Sequence, residues 1–153
     1  HPEFLAKQRL PQELVTKHIW SERYQDIRNF ERYLSRNGTV VRKFFLNVSR
    51  GEQKRRFMER LDEPEKNWKF SSSDAKERGY WNDYMDAYEE MIRETATGHA
   101  PWYVVPANNK WYTRIVIAAA IIEALASLDL RYPKVDKDKL KELEAARKIL
   151  MAE

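Results

Sequence analysis

Five cations, Arg50, Lys54, Arg55, Arg56 and Arg60, fall within eleven residues, opposed there only by Glu52 and Glu59. If the segment is helical, residues 50 and 54 share a face, as do 56 and 60. Lys66, Lys69, Lys76 and Arg78 continue the basic run. Guanidinium forks match phosphate oxygens in bidentate geometry, and lysines add mobile point charges. The chemistry this spacing fits is the holding of a polyanion. A solvated helix face is the competing reading of the same charges.

Two further stretches carry polar side chains in a pattern. Asn109, Lys110 and Arg114 follow the apolar run Trp102-Tyr103-Val104-Val105 and Pro106. Ligands of open α/β sheets bind beyond the carboxyl ends of strands, and backbone amides at a helix start attract anions. Ordinary capping with surface charge explains the stretch equally well. From Asp62 to Phe70, acids and bases alternate around Pro64 and Trp68. Such a loop either carries function or is anchored to the core by Trp68. Trp81, Tyr84 and Tyr88 could stack bases, but their helical spacing reads as core packing. Asp83 and Asp86, without a histidine beside them, make a weak case for acid–base work.

Other chemistries are excluded. The 153 residues contain no cysteine, hence no thiol nucleophile, thiolate zinc site or disulfide scaffold. His1, His18 and His99 do not stand at ligand spacing. No phosphate loop of the G-x-x-x-x-G-K-[ST] type and no G-x-G-x-x-G can be built from four scattered glycines. A net charge of +4 permits a polyanionic partner without requiring one. The most apolar stretch, Ile115 to Leu128, is interrupted by Glu123 and too short to span a bilayer. It reads as a buried helix, and a cytoplasmic soluble protein is the default.

The elements that must position these residues follow from periodicity. Residues 1–11 read as irregular. Trp20, Tyr24, Ile27, Phe30 and Leu34 predict an amphipathic helix stopped by Asn37-Gly38. Thr39 to Val48 reads as a strand buried on both faces, which requires parallel neighbours. Ser49 with Glu52 forms a capping-box pattern for a helix to about Leu61. An ordered loop over 62–73 precedes a helix start at Asp74 and a helical repeat to about Glu94. Trp102 to Val105 is a second strand, ended by Pro106. Asn108 is a candidate N-cap for the apolar helix, and Lys137 to Met151 forms a charged terminal helix. Two strands among five helices look like part of an α/β domain whose first strands are missing.

Several stretches together resemble the family-2 polyphosphate kinases. They are Trp20 to Ile27, Phe30 to Leu34, Asn37 to Thr39, Lys43 to Ser49, Glu52 to Phe57, Arg60 to Phe70, Tyr80 to Tyr84 and Ala100 to Ala107, in family order. The resemblance covers roughly residues 1–135. It implies an α/β P-loop kinase fold, thymidylate-kinase-like, with a parallel sheet and a helical lid, of which this chain is a helix-rich half. It implies a kinase part over residues 1–135 with the lid at about 50–78, and a terminal helix over 136–153. The implied activity is phosphoryl transfer between inorganic polyphosphate and ADP or AMP, with the ADP/ATP type favoured. Lys54, Arg55, Arg56, Lys66, Lys69 and Arg78 would face phosphates. Pro106, Ala107, Asn109 and Lys110 would lie near the nucleotide, with Arg114 on the next helix. Mg²⁺ would be held mainly by a phosphate loop and an aspartate motif upstream of His1, so no catalytic residue and no metal ligand is expected here. Residues 1–153 alone would then be inactive. A homo-oligomer is implied, with no nucleic-acid or membrane partner. The alternative is a non-catalytic module that binds polyanions or nucleic acid.

Overall fold

The computed structural model describes residues 3–152, and the chain clusters into two units, His1–Ile121 and Ile122–Glu153. In the first unit a short helix α1 (Glu3–Lys7) stands where irregular chain is expected. Helix α2 (Ile19–Arg36) follows, and Gly38 ends it at φ 84°, a left-handed conformation in which glycine has no steric cost. Strand β1 (Lys43–Asn47) leads into α3 (Arg50–Asp62). The expected loop over 62–73 is instead a 3-10 segment, Pro64–Lys69, and the start of α4 (Ser72–Glu77). The amide of Asn67 holds the first of these by donating to the Arg60 and Leu61 carbonyls, at 2.8 and 2.9 Å, at the end of α3. A 3-10 turn, Arg78–Tyr80, separates α4 from α5 (Trp81–Thr95), so the helical stretch is broken there.

Strand β2 (Trp102–Pro106) pairs with β1 in parallel, with Lys43 opposite Trp102 and Asn47 opposite Pro106. Parallel pairing needs a long crossover, and residues 48–101 provide it. The stacked rings of Phe44 and Tyr103, 5.2 Å apart, are register partners on one face. On the other face, Phe45 packs 5.0 Å from Tyr88 of α5. The expectation of a strand buried on both faces fails. Lys43 to Phe45 are half-buried and Leu46 and Asn47 exposed, and among the described residues the sheet has two strands, so each strand keeps one unpaired edge. Val105, Ala100 and Thr95 are the most buried of the described residues. Lys43 ties the sheet to two helices. Its ammonium lies 2.7 Å from the Glu31 carboxylate on α2 and donates to the Thr95 carbonyl at the end of α5.

Helix α6 (Lys110–Ala126) corrects a further expectation. Asn109, rather than Asn108, caps it, because the Asn109 carbonyl accepts the Thr113 amide at 3.0 Å. The helix is not buried by its bulky residues. Thr113, Ala120 and Ala124 are its covered positions, whereas Ile115, Ile122 and Leu125 are more than half exposed. Positions 113, 120 and 124 share one helical face, so the large aliphatic side chains point elsewhere. In the second unit, α7 (Lys137–Met151) starts on Asp136, whose carboxylate accepts the Lys139 amide at 2.8 Å. No helix among the described residues is long and apolar enough to cross a membrane.

Candidate functional site

Parallel pairing brings the carboxyl ends of β1 and β2 side by side, and with them the loops that enter α3 and α6. Those loops are bonded to each other. The Ser49 amide donates to the side-chain oxygen of Asn108 at 2.9 Å, and the Asn108 amide returns a bond to Ser49 Oγ at 3.2 Å. Ser49 Oγ also accepts the Glu52 amide, as the capping box requires. The reciprocal half of that box is absent, because Asn108 has taken the Ser49 amide. The Glu52 carboxylate turns instead to Arg55 and Arg56. Arg56 closes the circuit by donating to the Ala107 and Asn108 carbonyls at 2.7 and 3.0 Å. The first turns of α3 and the β2–α6 loop are thus held together through one carboxylate, one guanidinium and one amide side chain.

Two recesses are lined by α3. A cleft of about 520 Å³ lies between the end of β1, α3, α4 and α5. Phe45, Trp81, Tyr84 and Tyr88 give it an aromatic wall, and Gln53, Arg56, Arg60, Asp74 and Arg78 give it polar groups. The aromatic residues of α5 therefore line a cavity; the expectation that they pack only as core is corrected. Tyr88 is exposed, and the Tyr84 hydroxyl donates to Glu77 at 2.7 Å. A smaller groove of about 240 Å³ is lined by Arg56, Glu59, Arg60, Lys66, Lys69 and Lys110. Arg56 and Arg60 belong to both.

The charges around the groove are organised by two glutamates. A hydrogen bond from Arg55, with Arg56 adding to it, pulls the Glu52 carboxyl down to about 2. Glu59 is held below its ordinary value chiefly by its hydrogen bond from Lys66, which is itself raised by Glu59 and then Glu63. A carboxyl depressed in the folded state contributes stability that is fully present above its ordinary value of 4.5 and is lost as pH falls through about 2. The wild-type chain is therefore expected to lose urea resistance below pH 4.5 more steeply than Glu52→Gln. Parallel acid profiles for the two proteins would remove Glu52 from this role.

The sequence profile described as Polyphosphate kinase 2 (PPK2) matches residues 9–133. The chain belongs to the polyphosphate kinase 2 family. An ADP-polyphosphate phosphotransferase from Rhodopseudomonas palustris is 46% identical across 99% of this chain and 53% of its own length. An AMP/ADP-polyphosphate phosphotransferase from Meiothermus ruber is 48% identical across 79% of this chain and 45% of its own. The crystal structure of Polyphosphate Kinase 2 from Arthrobacter aurescens superposes with a TM-score of 0.79 at 43% identity, over 90% of this chain and 48% of that one. The chain thus spans about half the length of these polyphosphate kinase relatives. Their likeness fixes the fold as part of the helix-rich, parallel-sheet polyphosphate kinase 2 fold.

Within that family fold, the residues singled out from the sequence separate into groups. Arg56, Lys66, Lys69 and Lys110 meet at the cationic groove, and Arg78 reaches the cleft. Arg78 donates to Gln53 and, at 3.2 Å, to the Arg50 carbonyl. Pro106 and Asn109 line a third recess with Asn47, Ser49, Asn108 and Tyr112. Ala107 is buried, and its amide extends the sheet by donating to the Asn47 carbonyl at 3.0 Å. Lys54, Arg55 and Arg114 are exposed and line none of these recesses; Arg55 lies between Glu52 and Glu59. Trp68 is 78% exposed, with the Lys69 ammonium 4.9 Å from its ring, so it does not anchor its loop. Phe70 does that, meeting Phe57 edge-on at 5.8 Å. Arg60, counted in the cation run but given no role by the family resemblance, and Asn108, expected only as a helix cap, both join the site. Arg60 was legible one turn after Arg56, whereas the partner of Asn108 lies 59 residues away. Among the described residues no three carboxylate or histidine side chains cluster as metal ligands.

Proposed function

We propose that the chain forms the phosphate-gripping part of an enzyme that transfers a phosphoryl group between inorganic polyphosphate and a nucleoside mono- or diphosphate. The observation that carries this is the groove shared by Arg56, Arg60, Lys66, Lys69 and Lys110, with Glu59 as the single acid among them. Five cations from α3, the 3-10 segment and the start of α6 converge there, which suits a ligand of repeated negative charge. The relatives' names supply the two substrates. In the forward direction an acceptor phosphate oxygen forms a bond to the terminal phosphorus of polyphosphate. The bond to the bridging oxygen breaks, and the chain leaves one phosphate shorter. These residues contribute position and charge neutralisation, the terms that dominate phosphoryl transfer. Magnesium, where the reaction uses it, shields phosphate charge; no ligand to it is assigned among these residues. A homo-oligomer belongs to the same reading, supported by the exposed Ile115, Ile122 and Leu125 of α6.

The test is formation of ATP from ADP, and of ADP from AMP, at the expense of polyphosphate by the full-length gene product. Product with ADP alone gives the narrower specificity, and product with both gives the broader one. The Lys66→Ala/Lys69→Ala double variant is expected to raise KM for polyphosphate about tenfold or more, from two lost charge-assisted contacts. No product with either acceptor, from a folded protein, would overturn the reading in favour of polyanion binding without catalysis.

A further inference from the structure

We propose that Asn108 is a positioning residue for Arg56: by taking the Ser49 amide it keeps the Glu52 carboxylate on the guanidinium, which leaves Nη1 of Arg56 for phosphate. The proposal rests on the transfer reading above. In a complete capping box the acid three residues on accepts the amide of the capping serine. Here Asn108, 59 residues away in sequence, stands in for that acid. Its Oδ1 accepts the Ser49 amide at 2.9 Å and its Nδ2 donates to Ser49 Oγ at 3.2 Å. Glu52 is thereby freed from the cap of its own helix. Arg55 holds the Glu52 carboxylate with two bonds, of 2.8 and 2.7 Å, and Arg56 Nε holds it with one of 2.8 Å.

Those contacts decide which donors of Arg56 remain. A guanidinium carries its N–H donors in a rigid fork. Nε meets Glu52, and Nη2 meets the Ala107 and Asn108 carbonyls at 2.7 and 3.0 Å. No bond among the described residues engages Nη1, and Arg56 lines both the cleft and the cationic groove. Without the Asn108 side chain, the Ser49 amide is left for Glu52 to take. Of the two guanidiniums on that carboxylate, Arg56 is the one released, having one bond to lose against two for Arg55. It would then be tied by backbone carbonyls alone. Misplacing a group by about 1 Å can cost about 10²-fold in rate, and the two carbonyls limit the movement to less. Asn108→Ala keeps the backbone carbonyl at 108, so it removes the relay without touching the direct bond to Arg56.

Kinetics and hydrogen exchange on variants of the full-length gene product test this. Asn108→Ala is expected to lower kcat about tenfold and to leave KM for polyphosphate within about twofold, because the lysines of the groove are untouched. In the Arg56→Ala background the same change should cost nothing further, since a residue that acts only through Arg56 has nothing left to act on. Asn108→Asp keeps an acceptor for the Ser49 amide and should retain turnover within about threefold. By NMR, Asn108→Ala should speed exchange of the Arg56 Nε–H while the Ser49 amide stays protected by Glu52. Loss of protection at the Ser49 and Glu52 amides together would show a frayed helix start and overturn the relay. Losses that multiply in the Asn108→Ala/Arg56→Ala double variant would overturn it too. Absence of transfer by the wild-type protein would overturn the transfer reading instead, and the exchange pattern alone would then decide whether Asn108 sets Arg56.

Discussion

Arg56→Ala is expected to cut turnover of the full-length gene product by about 10²–10³-fold, the usual cost of one lost transition-state donor. Arg56 lines both the cleft and the groove, and its side chain is only 22% exposed. It also bridges Glu52 on α3 to the Ala107 and Asn108 carbonyls. Its loss therefore removes a charge from the groove proposed to hold phosphates and unlatches α3 from the β2–α6 loop. The second effect should appear as about 1.5–3 kcal/mol in urea unfolding, the range for hydrogen bonds to a charged group. Arg56→Lys should keep the charge without rescuing the variant, because one ammonium cannot serve the carboxylate and both carbonyls as a planar fork does. Arg55→Ala is the control. Arg55 is 61% exposed and held at the surface between Glu52 and Glu59, so its loss should change turnover only a few-fold, as exposed ion pairs contribute little. Equal effects of the two alanine variants would sink the distinction.

Glu31→Ala should be the most destabilising single change, by about 3–5 kcal/mol in urea unfolding. The Glu31 and Lys43 side chains are 9% and 13% exposed and lie 2.7 Å apart. The same ammonium donates to the Thr95 carbonyl and lies 5.2 Å from the Trp102 ring centre. Removing the carboxylate strands a charge between α2, the sheet and the end of α5. Desolvated charges without a partner are costly, whereas an apolar pair of similar volume often matches the ion pair. Glu31→Leu/Lys43→Met is therefore expected to recover most of the loss. A total stability of about 5–15 kcal/mol is usual for such a domain, so the single variant should sit close to unfolding at 37 °C. A cost below about 1 kcal/mol for Glu31→Ala would show that the pair is solvated and the packing argument wrong.

By itself the sequence determined the local pieces. Ser49 three residues before Glu52, Asn37-Gly38 and the apolar repeat of α2 each act within a turn or two of chain, and the structure has them in place. The cation run on α3 was legible for the same reason, because helical spacing assigns neighbours without reference to the rest of the fold. The tertiary structure alone decided what those pieces meet. The pairing of Asn47 with Pro106 brings residues 48–49 beside residues 107–109, and only then can Asn108 take the Ser49 amide and release Glu52 to Arg56. The same pairing makes Arg56 the junction between cleft and groove, while Arg55, its neighbour in sequence, points to solvent. It also left the strands half-covered and turned the small residues of α6 inward, against the reading of both as buried by their bulky side chains. Hydrophobicity records how much burial a segment tolerates. Which face is covered depends on elements dozens of residues away, and no local pattern encodes that distance.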